Sequence, residues 1–187
     1  MNEITNHAEL TVEKKIEGKY KRNRLLMKIA YGAGLLVIVA IFFLLDLALL
    51  GIIMIPLYPV LLTKLIIPLT YWRVDLEEKM DISGGTLTLT EIYGKKKSKD
   101  LVSIKVSLFE AIVPYNRDPI YRTKCDAFKY DKRYEAVSSM GHEDVYCAYG
   151  ENEYGEKVIC FFEATNKALK VMKFLNKNGT VVEEMSR

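Results

Sequence analysis

From Ile29 to Thr63 the chain runs for 35 residues with a single charged side chain, Asp46. A soluble core helix needs far less apolar length, and one bilayer crossing takes about 20 apolar residues. The stretch is therefore expected to fold as a helical hairpin, bent near Asp46–Gly51, where a carboxylate meets a helix-weakening glycine. Extending each run outward gives spans over Leu25–Leu45 and Leu47–Thr70, the second interrupted by Pro56, Pro59 and Pro68. Membrane helices tolerate prolines where neighbouring groups satisfy the freed carbonyls. At the bend, Asp46 reads as a carboxylate facing headgroups and water. The hairpin divides the chain into a polar tail (residues 1–24), the hairpin itself (25–70) and a domain (71–187).

The charges give this hairpin a direction. Seven Lys or Arg lie between Lys14 and Lys28, Lys64, Arg73 and Lys79 follow its far end, and its middle has none. Positive charge on both flanks predicts a two-span protein of the cell membrane with both termini cytoplasmic. Tyr71 and Trp72 stand where the second span returns to the surface, as interfacial aromatic anchors do. The formal net charge is +3, yet from Tyr71 onward 19 basic residues balance 19 acidic ones. A neutral domain held at a membrane argues against nucleic-acid binding. Cys125, Cys147 and Cys160 are an odd number without CxxC spacing, and read as reduced core thiols.

In the tail, Leu10, Val12, Ile16 and Tyr20 carry a weak helical period, which suggests either a short interfacial helix or a tail without fixed structure. The tail and apolar run together are too long for a cleavable signal. Beyond Trp72 the period changes. Val74, Leu76, Met80 and Ile82 suggest an extended segment, Ser83-Gly84-Gly85 a hairpin turn, and Leu87, Leu89 and Ile92 alternate with threonines as in a half-buried strand. Gly94–Asp100 reads as a loop and Val102, Ile104 and Val106 as a third strand. Leu108, Ile112 and Val113 fit a helical turn ended by Pro114. Further strands are expected near Tyr121–Tyr130, Tyr134–Ser138, Asp144–Gly150 and Lys157–Glu163, with Glu151–Gly155 turning between the last two. Thr165 or Asn166 then caps a helix to about Asn176, whose stripe of Ala168, Leu169, Val171, Met172 and Leu175 should pack on the sheet.

Antiparallel strands followed by one C-terminal amphipathic helix resemble the pleckstrin-homology (PH) fold. With two spans in front, the chain resembles small bacterial membrane proteins that carry a cytoplasmic PH-like domain, many of them in families of unknown function. The resemblance rests on Ile29–Thr63, on Gly85–Gly94, on the turn after Ile104, and on Val158–Glu163 leading into the helix. It implies an α+β membrane protein: an N-terminal transmembrane helical hairpin, then an antiparallel β-rich PH-like domain with a C-terminal amphipathic helix. The chain departs from lipid-reading members in its first hairpin loop, Ser83-Gly84-Gly85, which carries no basic pattern, and in lacking a tryptophan on the final helix.

Four features are candidates for binding. Lys95, Lys96, Lys97 and Lys99 place four positive charges within five residues, against the plainer reading of a solvated hairpin tip. Lys167, Lys170, Lys173 and Lys177 share one helical face, which is either a docking face for acidic lipid or protein or the wet side of an amphipathic helix. Glu143, Asp144, Glu151, Glu153 and Glu156 form an acidic edge without an intervening Lys or Arg, suited to a basic partner or another copy, or simply two solvated turns. Seven tyrosines between Tyr115 and Tyr154 read as strand residues rather than a stacking surface. For catalysis, His142 lies beside Glu143 and Asp144 with Cys147 nearby, but a second metal-ligating histidine, a Walker loop, GxGxxG and GxSxG are all missing. The expectation is a non-enzymatic, membrane-tethered interaction module without cofactor or metal. Its expected partners are membrane lipids and a protein or further copies of the chain. A structural subunit assembling through the hairpin is the alternative, and a membrane-bound hydrolase using His142 or Cys147 a third.

Overall fold

In the computed structural model, residues 7–183 are described, and they form two compact units. One comprises residues 16–76 with 93–96, and the other residues 7–15, 77–92 and 97–183.

The first unit is a helical hairpin. Helix α1 (Gly18–Leu44) and helix α2 (Ala48–Thr70) are both long and apolar enough to cross a membrane. The bend is tight and centres on Asp46, at a φ of 57°, while Gly51 lies inside α2 rather than at the bend. The two glycines that matter act by closeness. A Cβ on Gly34 would meet the Tyr58 hydroxyl, and a Cβ on Gly51 would stand 3.4 Å from Phe42 Cβ. The Tyr58 hydroxyl donates to the Tyr31 carbonyl across the hairpin, a polar contact of the kind that joins membrane helices. Pro56 and Pro59 sit inside α2, and before Pro68 the helix opens into a π turn over Leu62–Ile66. Thr63 Oγ1 donates to the Pro59 carbonyl at 2.9 Å and Thr70 Oγ1 to the Ile66 carbonyl at 2.6 Å, the i−4 back-bonds that hydroxyls make within a helix.

The second unit is built from two four-stranded sheets. Residues 8–13 are neither helical nor loose: they form strand β1 (Ala8–Glu13), which pairs antiparallel with β2 (Leu76–Ser83) from Ala8↔Ile82 to Glu13↔Glu77. Ala8, Leu10 and Val12 face inward while Glu9, Thr11 and Glu13 are exposed, a period of two that six residues show too briefly to separate from a helical one. The polar tail, whose first six residues lie outside those described, thus gives its sheet an edge strand. Strands β3 (Thr86–Tyr93) and β4 (Lys97–Lys105) complete the order β1-β2-β3-β4. The second sheet has the order β5-β7-β8-β6, from β5 (Phe109–Pro114), β6 (Lys132–Ala136), β7 (Val145–Glu151) and β8 (Lys157–Glu163). Its pairs are antiparallel except β6 with β8, which run parallel because β8 returns between β7 and β6.

This second sheet is buried on both faces. Ile112, Tyr146, Cys160 and Phe162 pack with Met80, Ile82, Leu87 and Leu89 of the first sheet and with the C-terminal helix. Val113, Cys147, Ile159 and Phe161 pack on the other side around Tyr115 and Cys125. Cys125 belongs to helix α3 (Pro119–Ala127), where the sequence suggested a strand. Asp118 caps it by accepting from the Ile120 N–H at 2.8 Å, and Pro119 occupies the first turn, where a missing N–H is harmless. The expected helical turn at Leu108–Val113 is instead β5 from Phe109 on, with Leu108 ending a 3-10 turn over Val106–Leu108, since burial on both faces leaves no polar alternation to read. Helix α4 (Asn166–Leu175) starts at Thr165, whose Oγ1 accepts from the Ala168 N–H at 3.2 Å, and buries Ala168, Leu169, Val171 and Met172. After α4 the chain returns along β5: Ile112 donates to the Gly179 carbonyl and Val181 to the Ile112 carbonyl.

Candidate interaction surfaces

The lysine run at 95–99 is split by the fold. Lys95 and Lys96 occupy the turn between β3 and β4, with positive φ at Gly94 and Lys95, whereas Lys97 and Lys99 are exposed residues of β4 and not part of a loop. Lys96 Nζ donates to the Pro68 carbonyl at 2.7 Å, and the Gly94 N–H to the Asp75 carbonyl at 2.7 Å. Four flexible cations on one tip are not what the structure presents. In the same unit, Tyr71 and Trp72 lie in a 3-10 turn after α2. The Tyr71 hydroxyl accepts from Arg24 Nε at 3.0 Å, and Trp72 Nε1 donates to the Leu69 carbonyl at 2.8 Å. Arg24 also lies over the Tyr20 and Tyr71 rings, so these aromatics form part of a collar at the open end of the hairpin.

The acidic residues also separate. Glu143 and Asp144 precede β7 while Glu151, Glu153 and Glu156 follow or end it, so about 20 Å of strand divides them. Asp144 is buried and paired with Arg117 at 2.7 Å. Glu153 pairs with Lys105 at 2.8 Å and Glu156 with Lys132 at 2.6 Å. Lys132 and the Asn152 amide hold the Glu156 carboxyl below the usual range. Only Glu143 and Glu151 of this set remain exposed without such a lysine or arginine contact.

On α4, Lys167, Lys170 and Lys173 emerge on the solvent side, whereas Lys177, expected on the same helical face, is exposed in the turn after the helix has ended at Leu175. Lys173 Nζ donates to the Thr180 carbonyl, fastening the returning C-terminal segment. Beside them stands Phe174, 67% exposed and one turn of helix from Lys170. Sequence periodicity placed the lysines but passed over this phenylalanine, although its position outside the apolar stripe was the available signal.

His142 and Cys147 have different surroundings. Cys125, Cys147 and Cys160 are free and buried. Burial, with the Cys125 thiol beside it, pushes the Cys147 thiol well up, and burial raises Cys160 to about 12, so neither supplies a thiolate. His142 Nδ1 lies 3.2 Å from the Asp144 N–H that it accepts from, and 3.9 Å from Glu163 Oε2. Glu163, also buried, accepts from the Ser138 N–H at 2.8 Å and from the Ser138 hydroxyl. Asn116 Nδ2 donates to the Met140 and His142 carbonyls, fixing the loop that carries the histidine. A cleft of about 440 Å³ opens between this loop and β1. Sequence reasoning missed Glu163 and Asn116 because they lie 21 and 26 residues from His142 along the chain, and missed Ser138, four residues away, because only Glu163 ties it to the site. Among the described residues, the one group spaced to hold a metal is His7, Glu9 and Asp81, and there Lys79 Nζ already stands 2.9 Å from Glu9 and 3.5 Å from Asp81.

Two sheets over a shared core, closed by a C-terminal helix and joined to a pair of long apolar helices, define a PH-like α+β protein with two possible membrane helices. The chain belongs to the family described as bacterial PH-like domain (DUF6106), which matches residues 6–182 and so takes in the hairpin and β1 as well as the sheets. No curated protein and no solved structure matches it.

Proposed function

We propose that the protein is a non-enzymatic, membrane-tethered interaction module. Its hairpin spans the cell membrane with both termini cytoplasmic, and the PH-like domain is offered to a protein or to anionic lipid. The observation that carries this reading is the outer face of α4, where exposed Phe174 stands with Lys167 and Lys170, followed by exposed Lys177 in the turn after the helix. An exposed aromatic ringed by cations matches the anchor-and-rim pattern of binding surfaces and of helices that rest on acidic headgroups. Tethering raises the effective concentration of a weak site, so this face need not bind tightly in isolation.

The test is purification of the full-length protein from its own host in mild detergent, with mass determination and identification of what copurifies, beside a Lys170→Glu/Phe174→Ala variant. A stoichiometric partner held by the native chain and lost from the variant supports the reading. The same partner held by a hairpin-only chain overturns it in favour of a structural subunit, and so does the absence of any partner. The topology has its own test. Native thiols are buried, so Tyr154→Cys, at a position 88% exposed, supplies the reporter. A reagent that cannot cross membranes should label it only after permeabilisation, and labelling in intact cells refutes a cytoplasmic domain.

A further inference from the structure

The first sheet has an edge whose backbone points outward into a cleft. The two-residue turn Gly84–Gly85, with φ values of 58° and 83°, makes Ser83 and Thr86 the pair that closes the β2–β3 hairpin. Backbone groups alternate in direction along a strand, so Asp81, Lys79 and Glu77 bond toward β3, and Ile82, Met80 and Glu78 toward β1. Through the register with β1, Ala8, Leu10 and Val12 bond into β2 while Glu9, Thr11 and Glu13 direct N–H and C=O away from it. Lys15, next in the outward series, agrees: its N–H donates to the Ser138 carbonyl at 2.9 Å. Among the described residues none hydrogen-bonds to the outward backbone groups of Thr11 and Glu13. Between these residues and Ser138, His142 and Glu163 lies the cleft of about 440 Å³. The edge of β5, by contrast, is covered by the segment around Gly179–Val181.

We propose that the outer edge of β1 binds an extended peptide segment of another protein by strand addition, selecting Lys or Arg at positions i and i+4. Main-chain bonds to Thr11 and its neighbours supply affinity, and side chains across the new pair supply selection. The exposed face there is acidic: Glu9 and Glu13 project from β1, with Asp81 opposite Glu9 and Glu77 opposite Glu13, against Lys79 between them and Lys167 near Glu9. A strand added antiparallel to β1 places residues four apart directly across from Glu9 and Glu13, where opposite charge is favoured. A second copy of the chain is disfavoured by the same rule, because pairing β1 with β1 about Thr11 sets Glu9 against Glu13 twice. The proposal rests on the interaction-module reading; its hydrogen-bonding groups are those of Thr11 and Glu13, while Lys167 of the neighbouring α4 face acts on Glu9.

The probe is a capped, dye-labelled peptide, Thr-Lys-Val-Thr-Val-Lys-Thr, titrated by fluorescence anisotropy against the full chain in mild detergent, beside its glutamate-for-lysine analogue and a version N-methylated at alternate amides. The lysine peptide should bind and the other two should not. Thr11→Pro removes an outward N–H while leaving the β1–β2 ladder its bonds, and should weaken binding about tenfold. Glu13→Lys tests the same site without proline, and should shift preference toward the glutamate peptide. Equal binding of the lysine and glutamate peptides, or unchanged binding to both variants, overturns the proposal. So does a native dimer that Thr11→Pro dissociates, which makes the edge a contact between copies. Loss of strand addition alongside a partner still released by Lys170→Glu/Phe174→Ala refutes this site alone, whereas an absent partner refutes the module.

Discussion

Glu78 should make the sheet domain less stable as the pH rises through neutrality, opposite to the behaviour of an ordinary paired carboxylate. Its side chain is 1% exposed on the inward face of β2, and Lys14 Nζ meets Oε1 at 2.8 Å, but Oε2 has no hydrogen-bond partner among the described residues. Burial, opposed by Lys14 and reinforced by Glu91 and Glu135, raises its pKa from 4.5 to about 7. The folded state therefore holds this proton more tightly than the unfolded chain. The resulting stabilisation is complete below the unfolded value and is lost as the pH climbs through the folded one. At about 1.4 kcal/mol per unit, the difference is worth about 3 kcal/mol in all, of which about 2.5 kcal/mol falls between pH 5 and pH 8. Thermal unfolding of the full chain in mild detergent, followed by near-ultraviolet circular dichroism of the tyrosines, measures it. Relative to Glu78→Gln, the native domain should lose about 5–10 °C across that range. Glu9 and Glu156 are shifted downward by Lys79 and Lys132, so they titrate below the range and leave the comparison unaffected. Parallel pH profiles for native and Glu78→Gln protein would refute the argument. So would a native profile that rises relative to the variant.

Other consequences are as direct. Lys14→Met leaves Glu78 without its one cation, so its cost should be larger at pH 8 than at pH 5, read by the same unfolding experiment. Gly34→Ala should loosen the hairpin by forcing the Tyr58 hydroxyl away from the Tyr31 carbonyl, and Tyr58→Phe should relieve the clash, a non-additivity of about 0.5–3 kcal/mol measurable as a double-mutant cycle. Phe161→Ala empties the layer beneath α3, where its ring meets Tyr115 edge-on at 5.0 Å, and should cost about 3–5 kcal/mol by urea unfolding. All three cysteines should resist thiol reagents in the native chain and react together on unfolding, and rapid labelling of the folded protein would contradict their burial.

Several misreadings of the sequence share one cause. Periodicity reports the difference between two faces of an element, and β5, β7 and β8 have no dry-versus-wet difference to report. Phe161 and Phe162 are equally buried on opposite sides of β8. The helix α3 that creates the second layer was announced by Asp118-Pro119, a cap followed by a residue preorganised for a first turn, yet the same pair also opens loops. Ion pairing was less legible still. Asp144 and Arg117 are 27 residues apart, and Glu153 and Lys105 are further apart, so only the folded chain shows that an apparent acidic edge is largely neutralised.

What the sequence settles alone is whatever depends on neighbours along the chain. The length of Ile29–Thr63 demands an apolar helical pair, Gly84–Gly85 closes a hairpin because both positions need positive φ, and the three- and four-residue spacing of Ala168–Leu175 fixes one face of α4. The tertiary structure decides whatever depends on a partner distant in sequence. β1 is a strand because β2, from beyond the hairpin, offers it a hydrogen-bonding edge. The Glu78 pKa is pushed up because the same pairing turns a polar residue inward, and Phe174 matters because the core has already claimed every other apolar residue on its turn of helix.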